Sequence, residues 1–298
     1  MLQLTNVRKV FNKTVAVDDL SFSVSQNETF GLLGPNGAGK TTALRMIMNI
    51  IQPDAGRIEF RGRRLEKADF LKVGYLPEER GLYQKMKLKE TVVYLARLKG
   101  LSQAEAGKRT DEYLRRFDLS GFALRKIQEL SKGNQQKVQF IISVIHQPEL
   151  VILDEPFSGL DPVNQLLLKE IIGELQARGA TVIFSTHQME QVEKLCDRIC
   201  LINRGKLILY GDLRKIKKDY GTQMLAIDYS GEQTALADLN LPDMRVTANQ
   251  INARLTGDSN LNDLLQTVMQ RVQVTRFELL EPSLEQIFIE QVSGEDQP

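Results

Sequence analysis

The sequence is short of several things, and each shortage excludes a class of function. Its two cysteines, Cys196 and Cys200, fall together in EKLCDRIC. With no His or Cys ligands beside them they read as small buried hydrophobes, which excludes a zinc site or a disulfide framework and fits a reducing compartment. Neither sign of charge is in excess: 39 Lys and Arg face 38 Asp and Glu, for a net +1. A global basic field is therefore missing and no nucleic-acid partner is expected, although a local basic patch stays compatible with these totals. Long apolar runs are missing too. The longest, Phe140 to Ile145, is far below the roughly 20 residues needed to cross a bilayer. The stretch MLQLTNVRKVF lacks the apolar segment of a signal peptide. The expectation is a soluble chain whose membrane role comes through a partner. There are no repeats, no low-complexity linker and no sustained heptads, and 298 residues suggest one or two domains.

What is present begins with three apolar runs that read as strands buried on both faces, the mark of a parallel sheet covered by helices. They are Thr29 to Leu33, Leu150 to Leu153 and Thr181 to Phe184. Asp161-Pro162 supplies an N-cap and a first-turn proline for a helix with Leu167, Ile171 and Leu175 on one stripe, stopped at Gly179. A charged helical pattern from Leu88 to Phe122 suggests a helical insertion, placed at about 84–145. After about Tyr220 the texture changes, so the domains are expected at 1–219 and 220–298. Leu225/Ile227/Tyr229, Met244/Val246/Ala248 and Ile251/Ala253/Leu255 alternate as half-buried strands do. Leu261, Leu264, Leu265 and Val268 repeat at helical spacing, and Val272/Val274 begin another strand. Ser283 to Gln286 is a capping box with Leu284, Ile287 and Phe288 on one face of the helix it opens. This second region reads as a small α+β domain, arranged β-α-β-β-α-β plus a terminal helix, with GEDQP as a frayed tail.

Three motifs carry chemistry. Gly34-Pro35-Asn36-Gly37-Ala38-Gly39-Lys40-Thr41, followed by Thr42, fits the phosphate-loop pattern with a strand before it and a helix after it. Its glycines let backbone N–H groups wrap a phosphate, Lys40 is a point charge for the β/γ oxygens, and the Thr41 hydroxyl suits Mg²⁺. LVILDEP ends an apolar strand in two carboxylates: Asp154 suits the surroundings of Mg²⁺, and Glu155 can polarise an attacking water. ELSKGNQQ precedes an almost wholly apolar helix, VQFIISVI. There Ser131 and Gly133 form either a second anion site or an ordinary N-cap, and the residues alone leave both readings open. His187 ends a strand, and as a lone His it reads structurally. His146 has no acid or metal partner and also stays structural. Phe11 can stack on a base, but taken alone it reads as core.

Together these pieces resemble the nucleotide-binding subunit of an ATP-binding cassette (ABC) transporter, in the right order from about Leu2 to Asp219. GPNGAGKTT is similar to the family's phosphate loop, LSKGNQQ to its signature motif and LVILDEP to its magnesium-and-base motif. SGLD, Ser158 to Asp161, is similar to its D-loop, and His187 to its switch histidine. Phe11 falls where the family stacks an aromatic on adenine. The resemblance implies an α/β P-loop cassette that binds ATP and Mg²⁺ and hydrolyses ATP through Glu155 and His187. It implies a head-to-tail pair with a second copy or a paralogous cassette, in which Ser131, Gly133, Asn134 and Asp161 reach the nucleotide held by the other chain. It also implies a polytopic membrane permease as partner, and a cytoplasmic location at the inner face of the plasma membrane. The region ending LEPSLEQIFIEQV resembles the accessory domain of bacterial export-type cassettes, among them sodium- and drug-extrusion ATPases.

Two departures matter. Lys132 and Asn134 replace residues of the commoner LSGGQ signature, and Lys132 would add a cation near the γ-phosphate. In GYLPEERGLY, Glu78 stands where the family usually has Gln. A carboxylate is a hard ligand for Mg²⁺, so Glu78 is expected to face the metal, with Thr41 and Asp154, while Glu79 and Arg80 form a solvated turn. The rival readings are an importer cassette, a non-transport ABC ATPase, and a nucleotide sensor without hydrolysis. Glu155 argues against the last.

Overall fold

Alternation and full burial sort the strands into different sheets. The computed structural model describes residues 1–79, 81–220, 224–232, 236, 239, 244–254, 261–280 and 282–295. In β1 (Leu2–Phe11) and β2 (Thr14–Val24) buried and exposed residues alternate. With β4 (Ala55–Phe60) they form an antiparallel sheet in the order β2-β1-β4. In β3 (Thr29–Leu33) every residue is buried, as in β6 (Leu150–Asp154) and β7 (Thr181–Thr186). These three lie inside a six-stranded sheet, β5-β6-β7-β3-β8-β9, completed by β5 (Val73–Leu76), β8 (Arg198–Asn203) and β9 (Lys206–Asp212). All its pairings are parallel except the β8–β9 edge.

The parallel register brings the motifs to one edge. Leu33 pairs with Thr186, Asp154 with Ser185, and Leu76 with Leu153. The phosphate loop, both acids, the histidine and the segment leading to Glu78 therefore all leave the sheet at the carboxyl ends of its strands. That is where open α/β sheets bind ligands.

Helices α1 (Lys40–Ile47), α2 (Leu88–Leu98), α3 (Gln103–Arg116) and α4 (Lys132–Val144) follow in order. The last three fill the expected helical insertion between β5 and β6. In α5 (Pro162–Ala177) the Asp161 carboxylate accepts from Asn164 N, and Gly179 has φ +89° just beyond the helix. Its buried stripe is Leu168, Ile171, Ile172 and Leu175, so Leu167 is only half-buried. One helix, α6 (Met189–Leu195), links β7 to β8.

The compact units divide between Asp212 and Leu213, seven residues before the expected change at 219/220. The reason is α7 (Leu213–Tyr220), which buries Leu213 and Ile216 and makes its contacts with the last helix of the second unit. That unit contains β10 (Met224–Ser230), β11 (Arg245–Val246), β12 (Gln250–Arg254), α8 (Leu261–Met269), β13 (Gln273–Leu280) and α9 (Leu284–Glu295). Its antiparallel order, β11-β12-β10-β13, is that of a β-α-β-β-α-β chain. The first helix of that plan falls in a stretch that mostly lies outside the described residues, as do Leu255, Arg80 and the end of the GEDQP tail. Leu225, Ile227, Tyr229, Ile251 and Val268 form its core. The capping box is present: Ser283 N donates to Gln286 Oε1 (3.0 Å) and Gln286 N to Ser283 Oγ (3.2 Å). Among the described residues no helix is long and apolar enough to cross a membrane.

Candidate nucleotide site

The phosphate loop runs from β3 into α1 through Gly39, whose φ of +106° places it in the left-handed region. No side chain caps α1, so its first N–H groups are left for a ligand. Glycine is required on steric grounds at both ends of the loop. A Cβ on Gly34 would lie 2.1 Å from the Ile202 carbonyl oxygen, and one on Gly39 would lie 2.4 Å from that of Ala16. The resulting cavity of about 210 Å³ is lined by Ala16, the run from Asn36 to Thr42, Glu78 and Glu155. Gly34 and Pro35 turn their carbonyls to Lys40 Nζ, which donates to them at 2.7 and 3.1 Å. Burial lowers the Lys40 pKa, and the negative charges of Glu155, Asp154 and Glu78 oppose that shift.

Strand register sets the acids. Asp154 is fully buried. Its Oδ1 accepts from the Ser185 hydroxyl on the paired strand, while Oδ2 has no hydrogen-bond partner among the described residues. Burial raises its pKa, and the hydroxyls of Ser185 and Thr41 oppose the shift. Glu155 sits at φ +49°, a left-handed conformation uncommon outside glycine. Its Oε1 accepts from His187 N (3.1 Å), lies 2.9 Å from His187 Nδ1 and 3.8 Å from Lys40 Nζ. Its Oε2 accepts from the Thr186 hydroxyl at 3.2 Å. Glu155 is thus oriented from three sides, while the imidazole of His187 stays about half exposed. The Thr41 hydroxyl donates to Glu78 Oε2 at 3.3 Å.

These donors fit Mg²⁺. The Thr41 hydroxyl, the Glu78 carboxylate and the orphaned Asp154 Oδ2 are all hard oxygens. Among the described residues no three His, Cys, Asp or Glu gather into a dedicated metal cage. Three protein oxygens leave room for the waters and phosphate oxygens that Mg²⁺ takes as its other ligands.

The remaining predicted residues lie elsewhere. Ser131 caps α4, its Oγ accepting from Asn134 N at 3.3 Å, and Asp161 caps α5. Neither lines the cavity, nor do Gly133 and Asn134. Phe11 is not core: it is 45% exposed, at the end of an alternating strand and beside a hairpin turn, with Lys9 Nζ 5.4 Å from its ring centroid. Glu79 is exposed, as a solvated turn requires, but it also pairs with Arg45 at 3.0 Å. Cys196 and Cys200 are free, and burial raises both thiol pKa values. Sequence reasoning missed Ala16, Ser185 and Thr186. The hydroxyl pair was legible as two polar residues ending an otherwise apolar buried strand.

A phosphate loop at the end of one inner strand, with two adjacent acids at the end of the next strand but one, defines a P-loop nucleotide hydrolase of the cassette type. Residues 17–158 match the ABC transporter family, and residues 211–292 match the C-terminal domain of DrrA1-3-like ATP-binding proteins. The chain is 43% identical over 295 residues to YhaQ, an uncharacterized ABC transporter ATP-binding protein of Bacillus subtilis (strain 168), covering 99% of each. It is 32% identical over 297 residues to Nod factor export ATP-binding protein I of Rhizobium sp. (strain N33), covering 97% of this chain and 95% of the relative. A solved ATP-binding subunit of an ABC transporter superposes with a TM-score of 0.68 at 32% identity, over 74% of this chain and 93% of that one. The chain belongs to the ABC transporter ATP-binding proteins, an ATPase family, and carries a C-terminal domain of the DrrA1-3-like type.

Proposed function

We propose that the chain drives export through a separate membrane permease, hydrolysing Mg²⁺-ATP in a head-to-tail pair of cassettes. The observation that carries the hydrolytic part is Glu155, whose carboxylate is held by Thr186 and His187 at the wall of the phosphate cavity, 3.8 Å from Lys40. A base positioned there can take a proton from water as it attacks the γ-phosphorus. The loop N–H groups and Lys40 bind and orient the triphosphate, and His187 keeps the Glu155 carboxylate turned toward it. Thr41, Asp154 and Glu78 are the residues that would hold Mg²⁺, which when bound neutralises the charge of the β- and γ-phosphates.

The paired arrangement is supported by Ser131, Gly133 and Asn134 standing at an exposed helix start outside their own chain's cavity. The second chain's phosphate then completes that site and Asp161 borders the same nucleotide, while Phe11 is the residue that would stack on an adenine. Export is supported by the near full-length similarity to a Nod factor export protein and by the accessory domain. The permease is placed at the Glu78 loop. Beyond it, Tyr83 and Tyr94 stack edge to face at 6.1 Å and are 50% and 43% exposed, an aromatic pair suited to an interface. That contact would hold the chain at the cytoplasmic face of the membrane.

The test is ATP turnover of the wild type against Glu155→Gln, together with co-purification from membranes. Equal turnover overturns the hydrolytic mechanism. Recovery of ribosomes or DNA in place of a polytopic membrane protein overturns the transport assignment.

A further inference from the structure

The C-terminal half of α4 is mostly apolar, yet the helix buries two glutamines, Gln136 at 4% and Gln139 at 5% exposure. With Gly133 they lie three residues apart, on one face of the helix. Each of the three meets a backbone carbonyl, two of them in the loop after β6 and one in the loop after β5. A Cβ on Gly133 would lie 3.1 Å from the Gly159 oxygen. Gln136 Nε2 is 3.5 Å from the Pro156 oxygen, at the limit of a hydrogen bond. Gln139 Nε2 donates to the Glu79 oxygen at 3.2 Å. Those carbonyls adjoin the chemistry: Gly159 is in SGLD, Pro156 follows Glu155, and Glu79 follows Glu78. One helical face therefore touches every loop that carries an acid of the site, and its first turn is the Ser131 anion site.

Stability does not explain Gln139. Its Oε1 is buried without a partner among the described residues, a cost that an apolar side chain of the same length would avoid. On its outer side Glu79, 83% exposed, pairs with Arg45 among the described residues, and exposed pairs of this kind hold weakly. The Gln139 amide is the inward tie of the Glu78 loop.

We infer that Gln139 is a positioning residue that couples the start of α4 to the Glu78 loop, so that phosphate bound at Ser131 and the position of the Glu78 carboxylate bias one another. This rests on the reading that the chain hydrolyses ATP as a head-to-tail pair. A tie between two elements that move relative to each other contributes to coupling between their sites and leaves intrinsic binding at either one alone.

The experiment uses the intact chain with Gln139→Met, of equal length and apolar, and Gln139→Leu as a second variant should the first fail to fold. ATP affinity is read on the hydrolysis-dead Glu155→Gln background at dilution, and kcat on the otherwise native chain. Expected are an unchanged or raised Tm, ATP affinity within about twofold, and kcat lowered on the order of 10-fold. Combined with Glu78→Ala, the loss should be no greater than that of the worse single variant, because both act through one loop. The inference is overturned if kcat stays at the wild-type level while Glu155→Gln is inactive. It is equally overturned if Tm and affinity fall together with kcat, or if the two losses multiply. A wild type without turnover, or one matched by Glu155→Gln, instead removes the parent reading, and this inference with it.

Discussion

Two helices of the cassette begin at glycine-bearing turns rich in N–H donors, and they begin differently. Helix α1 is entered through left-handed Gly39 with no side-chain cap, its first turn opening on a walled cavity with Lys40 buried beside it. Helix α4 caps itself through Ser131, and its start is exposed, outside the cavity on which α1 opens. The first start is complete within one chain: backbone amides, a cation, two acids and walls are all supplied. The second supplies donors and the exposed cation of Lys132, without the acids and walls of the first. Similar sequence chemistry at two helix starts thus gives one walled cavity and one open turn, and the difference lies in what surrounds each.

That contrast can be broken or sharpened by substitution. The largest effect is expected for Glu155→Gln, which should lower turnover by about 10²- to 10⁴-fold, the range of a lost general base, while nucleotide binding persists. Retained turnover would remove Glu155 from the chemistry. Lys40→Ala should weaken binding of an ATP analogue to the isolated chain on the order of 100-fold. Unchanged affinity would mean that the walled cavity is not the phosphate site. Ser131→Ala should leave that affinity within about twofold, lower turnover on the order of 10-fold, and cost about 1 kcal/mol of stability through the lost cap. A fall in isolated-chain affinity would make α4 part of the first site and erase the contrast. At the Glu78 position, Gln should keep most activity because its amide still reaches, whereas Ala should uncouple hydrolysis from closure. A Gln variant as inactive as Glu155→Gln would contradict the metal-facing role.

The last effect is on stability alone and concerns the histidine just beyond α4. Burial pushes the His146 pKa down from 6.5 to about 4, with Nε2 3.3 Å from the Val73 carbonyl oxygen. The neutral form is favoured in the fold, and the unfolded chain takes up its proton first. The stability it contributes is present above about pH 6.5 and is lost as the pH falls toward 4. Replacing it with Gln should flatten the acid limb of the stability curve by on the order of 2 kcal/mol. An unchanged curve would show that His146 does not titrate with unfolding.

Much of this was legible in the sequence wherever local chemistry decides the outcome. Runs such as LVILD and TVIFST are buried on both faces, and no short-range alternative competes with a central parallel strand. GPNGAGKT has a glycine wherever backbone crowds the turn. Taken alone Phe11 reads as core because large aromatics usually are, whereas it is 45% exposed; only the family resemblance pointed to an exposed stacking position. Asp161 reads equally as cap and as ligand, since both uses need a carboxylate at a helix start. Gln139 passed unnoticed inside VQFIISVI: a single amide in an apolar run is the signal, but its partner is 60 residues away. The boundary was set seven residues late because Leu213 to Tyr220 resembles any charged amphipathic helix until its neighbour is known.

The steric fit of Gly34 and Gly39 has one further consequence. The phosphate loop is clasped between the Ile202 carbonyl of one sheet and the Ala16 carbonyl of the other, and Gly205 N donates to Ala38 O at 3.0 Å across it. A loop held this way has little conformational entropy left to lose when a triphosphate arrives, so more of each new hydrogen bond goes into affinity. The same clasp makes the loop a keystone between the sheets: nucleotide should slow hydrogen exchange in β2 and β8 as well as in the loop it touches.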